Sequence, residues 1–253
     1  MKYLLTIAFL ILFTPLAAQE SPDREEVQTG VTEGPSEPEE GRTDLITDRE
    51  IVTVNDIKNV MSEKFKSIED YTAEIQWLNG AAEYRGKLQY KKDERFLIEF
   101  EEPAEQVIVS NGTMLSIYIP HLRVVAQQSL SEDTESALLT TTSESGLQRL
   151  FDEYSFSFFD TSTPVEFGEG TAYHLMLEQK RPKVGFREMD LWVSEEGLIL
   201  QSNGTSPNGM TVSLTFENIR INTELPDYIF DFEVPADAQI IRNIIVPFSD
   251  TTR

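Results

Sequence analysis

The sequence predicts an α+β protein built on one strongly curved antiparallel sheet, and three observations lead there. Large apolar residues alternate with period two from Tyr71 to Phe216; tight turns such as Asn79-Gly80 and Asn111-Gly112 separate the alternating stretches; and a single amphipathic helical pattern precedes them. Counting the stretches gives about ten or eleven strands in one domain, with a leading helix and a helical insertion mid-chain.

The chain opens on "MKYLLTIAFLILFTPLAA", a lysine followed by an apolar run, Pro15 and the small residues Ala17 and Ala18. This pattern predicts a Sec-type signal peptide over residues 1–18, cut before Gln19. An uncleaved membrane anchor is the alternative, but the apolar run from Tyr3 to Phe13 is short for a bilayer span. A periplasmic or extracellular location is therefore expected, with no stable membrane insertion. Cysteine is absent, so the chain has neither disulfides nor a site for N-terminal lipidation, and it must fold on packing alone.

Residues 19–50 hold eleven of the 44 acidic side chains and few large apolar groups. Such a segment cannot bury enough surface to offset its ordering entropy, which predicts a disordered acidic linker ahead of a domain over 51–245 and a short tail over 246–253. The formal net charge of −23 repels nucleic acid and anionic headgroups, and no basic cluster offsets it; nucleic-acid binding is excluded on that ground.

In order along the domain, Ile57, Val60, Met61, Phe65 and Ile68 recur at helical spacing, with Thr53 and Asp56 placed as a capping box. Tyr71, Ala73, Ile75 and Trp77 then share a strand face, followed by Tyr84, Gly86, Leu88 and Tyr90, and by Phe96, Ile98 and Phe100. Between Gln127 and Tyr154 the alternation breaks. Leu138 and Leu139, then Leu147, Leu150, Phe151 and Tyr154, predict two short helices. The meander resumes with Tyr173, Leu175 and Leu177, then Met189, Leu191 and Val193, then Leu198 and Leu200, and then Met210, Val212, Leu214 and Phe216. A last strand is expected near Ile219–Ile221, before the tail "LPDYIFDFEVPADAQII".

Several strands are apolar on both faces. In "RFLIEF" Leu97 opposes Phe96 and Ile98; in the next hairpin Val107 and Val109 oppose Ile108, and Met114 and Tyr118 oppose Leu115, Ile117 and Ile119. A closed sandwich with a solid core is the commoner use of such strands. A curved sheet also accounts for them if one element caps its convex face and its concave face encloses something else, since large half-barrels leave interiors that side chains do not fill.

One run of short motifs bears on that choice: Lys91-Lys92, Arg95-Phe96, Phe100, Pro103, Val109-Ser110-Asn111-Gly112 and Tyr118-Ile119-Pro120, with "TFENIRINTELPDYIFDFEVPADAQII" closing the domain. In order and spacing these resemble the LolA family, periplasmic carriers of outer-membrane lipoproteins, and the likeness spans about residues 52–241. The resemblance implies an incomplete β-barrel with the mid-chain helices as its lid, and an apolar cavity for acyl chains lined by Phe96, Ile98, Phe100, Ile108, Leu115 and Ile117, faced from the lid by Leu138, Leu147 and Phe151. It implies a lid latch at Lys92 with Arg95 in the second basic slot, although Asp93 stands where the family has a turn proline. It also implies a monomer loaded by an inner-membrane ABC-type extraction complex and unloaded to an outer-membrane acceptor. A lipid-sensing module of envelope-stress type and a carrier of glycolipid or another hydrophobic ligand share this architecture and stay open.

Little supports an enzyme. Only His121 and His174 are present, no Gly-x-Ser-x-Gly elbow occurs, and no His-x-x-x-His spacing marks a metal. The sequence predicts no catalytic residue, metal or cofactor. Asn111-Gly-Thr and Asn203-Gly-Thr match glycosylation sequons, but both are read as turns.

Overall fold

Helix α1 (Val54–Ser67) starts where Thr53 caps it: Asp56 N–H donates to Thr53 Oγ1 at 3.3 Å, and Asp56 Oδ2 accepts from Thr53 N–H at 2.8 Å. The predicted capping box is thus present. The computed structural model describes residues 52–102, 105–130, 143–181, 186–205, 209 and 211–242; the stretches expected to be a signal peptide (1–18) and a linker (19–50), together with Pro103, Leu138, Leu139 and Met210, lie outside them. Ile57, Met61 and Phe65 form the buried stripe of α1, while Val60, expected on it, is 40 % exposed. It lies off that stripe, and its carbonyl abuts Gly197 in the turn closed by Ser194 and Leu198.

Thirteen described strands follow: β1 (Asp70–Asn79), β2 (Ala82–Lys91), β3 (Arg95–Glu102), β4 (Val107–Asn111), β5 (Met114–Ile119), β6 (Val124–Ser129), β7 (Tyr154–Phe158), β8 (Val165–Phe167), β9 (Gly170–Gln179), β10 (Glu188–Ser194), β11 (Ile199–Thr205), β12 (Thr211–Ile221) and β13 (Gln239–Arg242). They make one open sheet in the order β13-β6-β5-β4-β3-β2-β1-β12-β11-β10-β9-β7, with β8 paired to β9. The strand count exceeds expectation because short β8 carries no clear alternation and β13 is four exposed residues of the tail, added parallel to β6. The strand expected near Ile219 is the end of β12, which runs on through an irregularity at Asn218, where φ is 52°. Between β6 and β7 lies helix α2 (Glu144–Glu153).

One expected register is corrected. Ile199, not Leu198 or Leu200, is buried, because a bulge between Trp192 and Val193 pairs Val193 with Ile199 and reverses the parity of β11. Asn203 is likewise mid-strand in β11 rather than in a turn, and its Nδ2 donates to Asp190 Oδ1 at 2.8 Å.

The register aligns apolar side chains in rows. Ala73, Leu88, Ile98, Ile108 and Ile117 form one row across five strands, and Tyr71, Tyr90, Phe96, Ser110 and Leu115 form the next. Both rows face the helices, and together with Met61, Phe65, Leu147 and Leu150 they make a single core. The opposite face carries Leu97, Val109 and Ser116 in register, and beside them Val107, Tyr118 and Val125.

The tail covers that second apolar face. After β12 the chain turns around buried Asp70, whose carboxylate accepts from Thr223 N–H (2.6 Å), Thr223 Oγ1 (2.9 Å) and Leu225 N–H (3.1 Å). The 3₁₀ turn Asp227–Phe230 then lies against β3 and β4, with Phe230 only 1 % exposed and the Phe232 ring 6.2 Å from Tyr118. Strands apolar on both faces are therefore covered by helices on one side and by the tail on the other.

Candidate functional site

The inner face is roofed by α1 and α2. Ser143 caps α2, accepting from Gly146 N–H at 3.0 Å, and Leu147 and Leu150 are fully buried beneath the helix. Phe151 is half-buried, packs edge-on to Phe156 at 5.4 Å and receives the Lys58 ammonium 4.5 Å above its ring, which joins α2 to α1 and β7. Burial lowers the Lys58 pKa, and the nearby Lys180 ammonium pushes the same way.

The residues named by resemblance sit on this face. Phe96, Ile98, Phe100, Ile108 and Leu115 are buried in the common core, with Ile98 2 % exposed; Ile117 and Phe151 pack at its margin, and Leu147 meets them from the roof. Leu138 lies outside the described residues. The packing leaves open space elsewhere, in a cleft of about 550 Å³ at the end of the sheet where α1 finishes and α2 begins. It is lined by Phe65, Ile68, Tyr71, Tyr90, Lys92, Asp93, Glu94, Glu144, Ser145 and Gln148. Of the predicted site residues only Lys92 reaches it.

The turn between β2 and β3 shapes this cleft. Asp93 (φ 65°) and Glu94 (φ 58°) are both left-handed, a conformation closed to proline, whose ring holds φ near −65°. Asp93 in place of the family's turn proline is explained by that backbone. The turn is braced by its neighbour: Ser110 Oγ donates to Glu94 O at 2.7 Å, and Gly112 approaches Asp93 O so closely that a Cβ there would lie 2.5 Å away.

Among the described residues neither basic residue makes a hydrogen bond or ion pair to α2, although Lys92 shares the cleft with Glu144. Lys92 Nζ donates to Glu69 Oε1 (2.7 Å) and Lys66 O (3.1 Å), closing the turn onto the end of α1, and the Glu69 hydrogen bond raises its pKa. Arg95 donates from Nη1 to Asp227 Oδ1 at 2.8 Å, and Lys91 binds the same carboxylate, so this pair clamps the tail. The turn meets the roof through Glu94, whose Oε1 accepts from Ser145 Oγ at 3.1 Å. Glu94 and Ser145 are functional candidates that sequence reasoning missed, because a glutamate in a charged turn and a serine in a helix's first turn carry no periodic signal.

Other chemistry is sparse. His174 is stacked between Phe159 (4.2 Å) and Trp192 (4.0 Å) on the outer face and bonded to Asp190 at 3.0 Å, while His121 is exposed in a 3₁₀ turn. No group of three His, Cys, Asp or Glu residues suited to a metal ion occurs among the described residues, and no described helix is long and apolar enough to cross a membrane.

Comparison with known proteins follows the same outline. The family model described as outer membrane lipoprotein carrier protein LolA matches residues 73–233. The outer-membrane lipoprotein carrier protein of Haemophilus ducreyi is 26% identical over 159 residues, 62% of this chain and 68% of that protein. The one from Chromohalobacter salexigens is 27% identical over 186 residues, 70% of this chain and 82% of that protein. In fold, the chain resembles an uncharacterized conserved protein from Thermus thermophilus at a TM-score of 0.51, with 15% identity, covering 75% of this chain and 98% of that one. The family match runs from β1 through the roofed face and the cleft turn to Phe230 and Phe232 on the outer face, and on that match this chain belongs to the LolA family.

Proposed function

We propose that the protein carries hydrocarbon cargo across the periplasm, sheltering lipoprotein acyl chains between the inner face of its sheet and helix α2. The observation that carries this reading is the construction of the roof. At its C-terminal end α2 runs straight into β7, and Lys180 Nζ donates to the carbonyls of Phe151 (2.8 Å) and Asp152 (3.1 Å). At its N-terminal end, among the described residues, the Ser145–Glu94 hydrogen bond ties it to the turn beside the cleft. A helix continuous with β7 at one end and tied to the cleft turn by a hydrogen bond at the other would open by swinging about the β7 end.

Energetics permit the exchange. Lifting Leu147 and Leu150 off the sheet costs about 3–6 kcal/mol, at ~1.5–3 kcal/mol for each buried leucine. Burying about ten methylenes in their place contributes ~8 kcal/mol. Cargo therefore outweighs the roof by a modest margin, which suits a carrier that must also release. Phe96, Ile98, Phe100, Ile108, Leu115 and Ile117 would hold the chains by contact area without directional bonds, and Leu138, Leu147 and Phe151 would close over them. Lys92 and Arg95 would hold the turn against which the roof shuts. Loading by an ABC-type extraction complex and unloading to an outer-membrane acceptor complete the proposal, which rests on the family's name and on the signal peptide read from the sequence.

Purification from the native periplasm, followed by mass spectrometry of bound species, tests this directly. Acylated proteins co-purifying at stoichiometric level support it. Free glycolipid, or a membrane-anchored regulator, would replace it with one of the two readings left open by the sequence. Apo protein that also refuses an acylated peptide in vitro overturns it.

A further inference from the structure

The cleft differs in character from the roofed face behind it. Its floor is aromatic, with the Tyr71 and Tyr90 rings 5.1 Å apart and Phe65 beside them, yet its rim presents the carboxyl groups of Asp93, Glu94 and Glu144. Lys92, the one basic residue lining it, is already bonded to Glu69 and to the Lys66 carbonyl. Tyr90 is 5 % exposed and lines the cleft, and its hydroxyl has no hydrogen-bond partner among the described residues. The hydroxyl opens onto the cleft, where water satisfies it and a ligand N–H can take that water's place. Burial and the charges of Glu94, Glu144 and Asp93 push Tyr90 well above the usual phenol range, so it stays a neutral hydroxyl whose lone pairs accept an N–H.

An aromatic floor, a rim of three carboxyl groups of which Glu94 bonds only the Ser145 hydroxyl, and an acceptor with no protein partner call for a cation with N–H groups and a hydrocarbon beginning. A carboxylate or phosphate head would meet repulsion from the rim. A quaternary ammonium would leave Tyr90 unpaired. We propose that the cleft binds the protonated primary amine of an amphiphile, with the ammonium held by Glu94, Glu144 and the Tyr90 hydroxyl and the first methylenes lying on Phe65 and Tyr71. This deepens the carrier reading and rests on it: the head stays in the cleft while the hydrocarbon runs inward beneath α2.

The net charge of −23 attracts any cation from a distance, so the test separates local from global attraction. The full chain is titrated calorimetrically with decylammonium, decyltrimethylammonium, decyl sulfate and decyl maltoside, each below its micelle-forming concentration. Decylammonium is expected to bind about tenfold more tightly than decyl maltoside, the equivalent of ~1.4 kcal/mol from charge-assisted and ammonium–ring contacts. Glu144→Gln, which leaves the Ser145–Glu94 tie untouched, should cut that preference about threefold or more and leave decyl maltoside binding intact. Tyr90→Phe should weaken decylammonium about three- to tenfold and leave decyltrimethylammonium unchanged. Glu166→Gln with Glu169→Gln, exposed around the β8–β9 turn, should change nothing. Equal affinity for all four heads overturns the ammonium site while the carrier reading stands. Failure to bind any of them overturns the carrier reading itself. Loss of the preference in the Glu166 and Glu169 variant overturns the site in favour of net charge, and a lysine peptide without a hydrocarbon tail that binds as tightly as decylammonium reassigns the cleft to a protein partner.

Discussion

Asp93 and Glu94 adopt consecutive left-handed conformations at the rim of the cleft, which is costly for residues with a Cβ. Backbone strain of this kind persists where surrounding contacts over-determine it, and here Ser110 Oγ, the Gly112 backbone and Ser145 all press on the same turn. Asp93→Gly should therefore stabilise the protein by about 0.5–1 kcal/mol in urea unfolding, since glycine adopts this φ freely. Asp93→Pro should lose several times that amount, because its φ is out of reach. Gly197 poses the converse case. Its φ is 88°, and a Cβ there would lie 2.8 Å from the Val60 carbonyl of α1. Gly197→Ala should cost ~1–3 kcal/mol and shift the denaturation midpoint without altering its slope, because the β10–β11 turn must seat on the helix backbone. Asp227 gives residue-scale chemistry a pH signature. The hydrogen bond from Lys91, with the charges of Lys91 and Arg95, lowers its pKa. A carboxylate whose folded pKa is depressed contributes stability above its unfolded value, near 3.9, and loses it as pH falls through the lower folded value. The stability gap between wild type and Asp227→Asn should be full at neutral pH and vanish in strong acid; a gap constant down to about pH 2 would deny the ion pair any role.

Among the elements, the tail and α2 are the decisive ones, and each covers one face of the same strands. Phe230 is the plug of the outer face, and Phe230→Ala should cost about 3–5 kcal/mol by leaving a cavity over β3 and β4. The amide protons of β4 should exchange faster in that variant. Helix α1 was legible, its cap included and Val60 excepted, because periodicity and capping are local. Of the two mid-chain helices expected, α2 occurs where the spacing of Leu147, Leu150 and Phe151 placed it, and the stretch holding Leu138 and Leu139 falls outside the described residues. The tail was legible only as a string of aromatics and prolines. Its place over β3 and β4 depends on Asp70, Lys91 and Arg95, which meet it across more than a hundred residues of sequence.

For the whole molecule, the carrier reading turns on whether the roof opens. The chain has no cysteine, so introduced thiols can be labelled selectively. Lys58 and Phe151 face each other between α1 and α2, and cysteines at these two positions joined by a short bismaleimide should fasten the roof. Acyl-peptide uptake should fall by an order of magnitude or more, while thermal stability holds or rises. Uptake that continues at the full rate would mean that cargo enters elsewhere.

Composition and pattern by themselves determined the cysteine-free, acidic character of this protein, its leading helix and its antiparallel strands with two apolar faces. Those features follow from side-chain period and local turn chemistry, which act within a few residues. Tertiary structure alone decided that helices cover one face and the tail the other, that Ile199 rather than its neighbours turns inward, and that open space lies beside Tyr90 and Glu94. Each of these depends on contacts between residues far apart in the chain, where a bulge, a strained turn or a buried carboxylate sets the geometry and leaves no periodic trace.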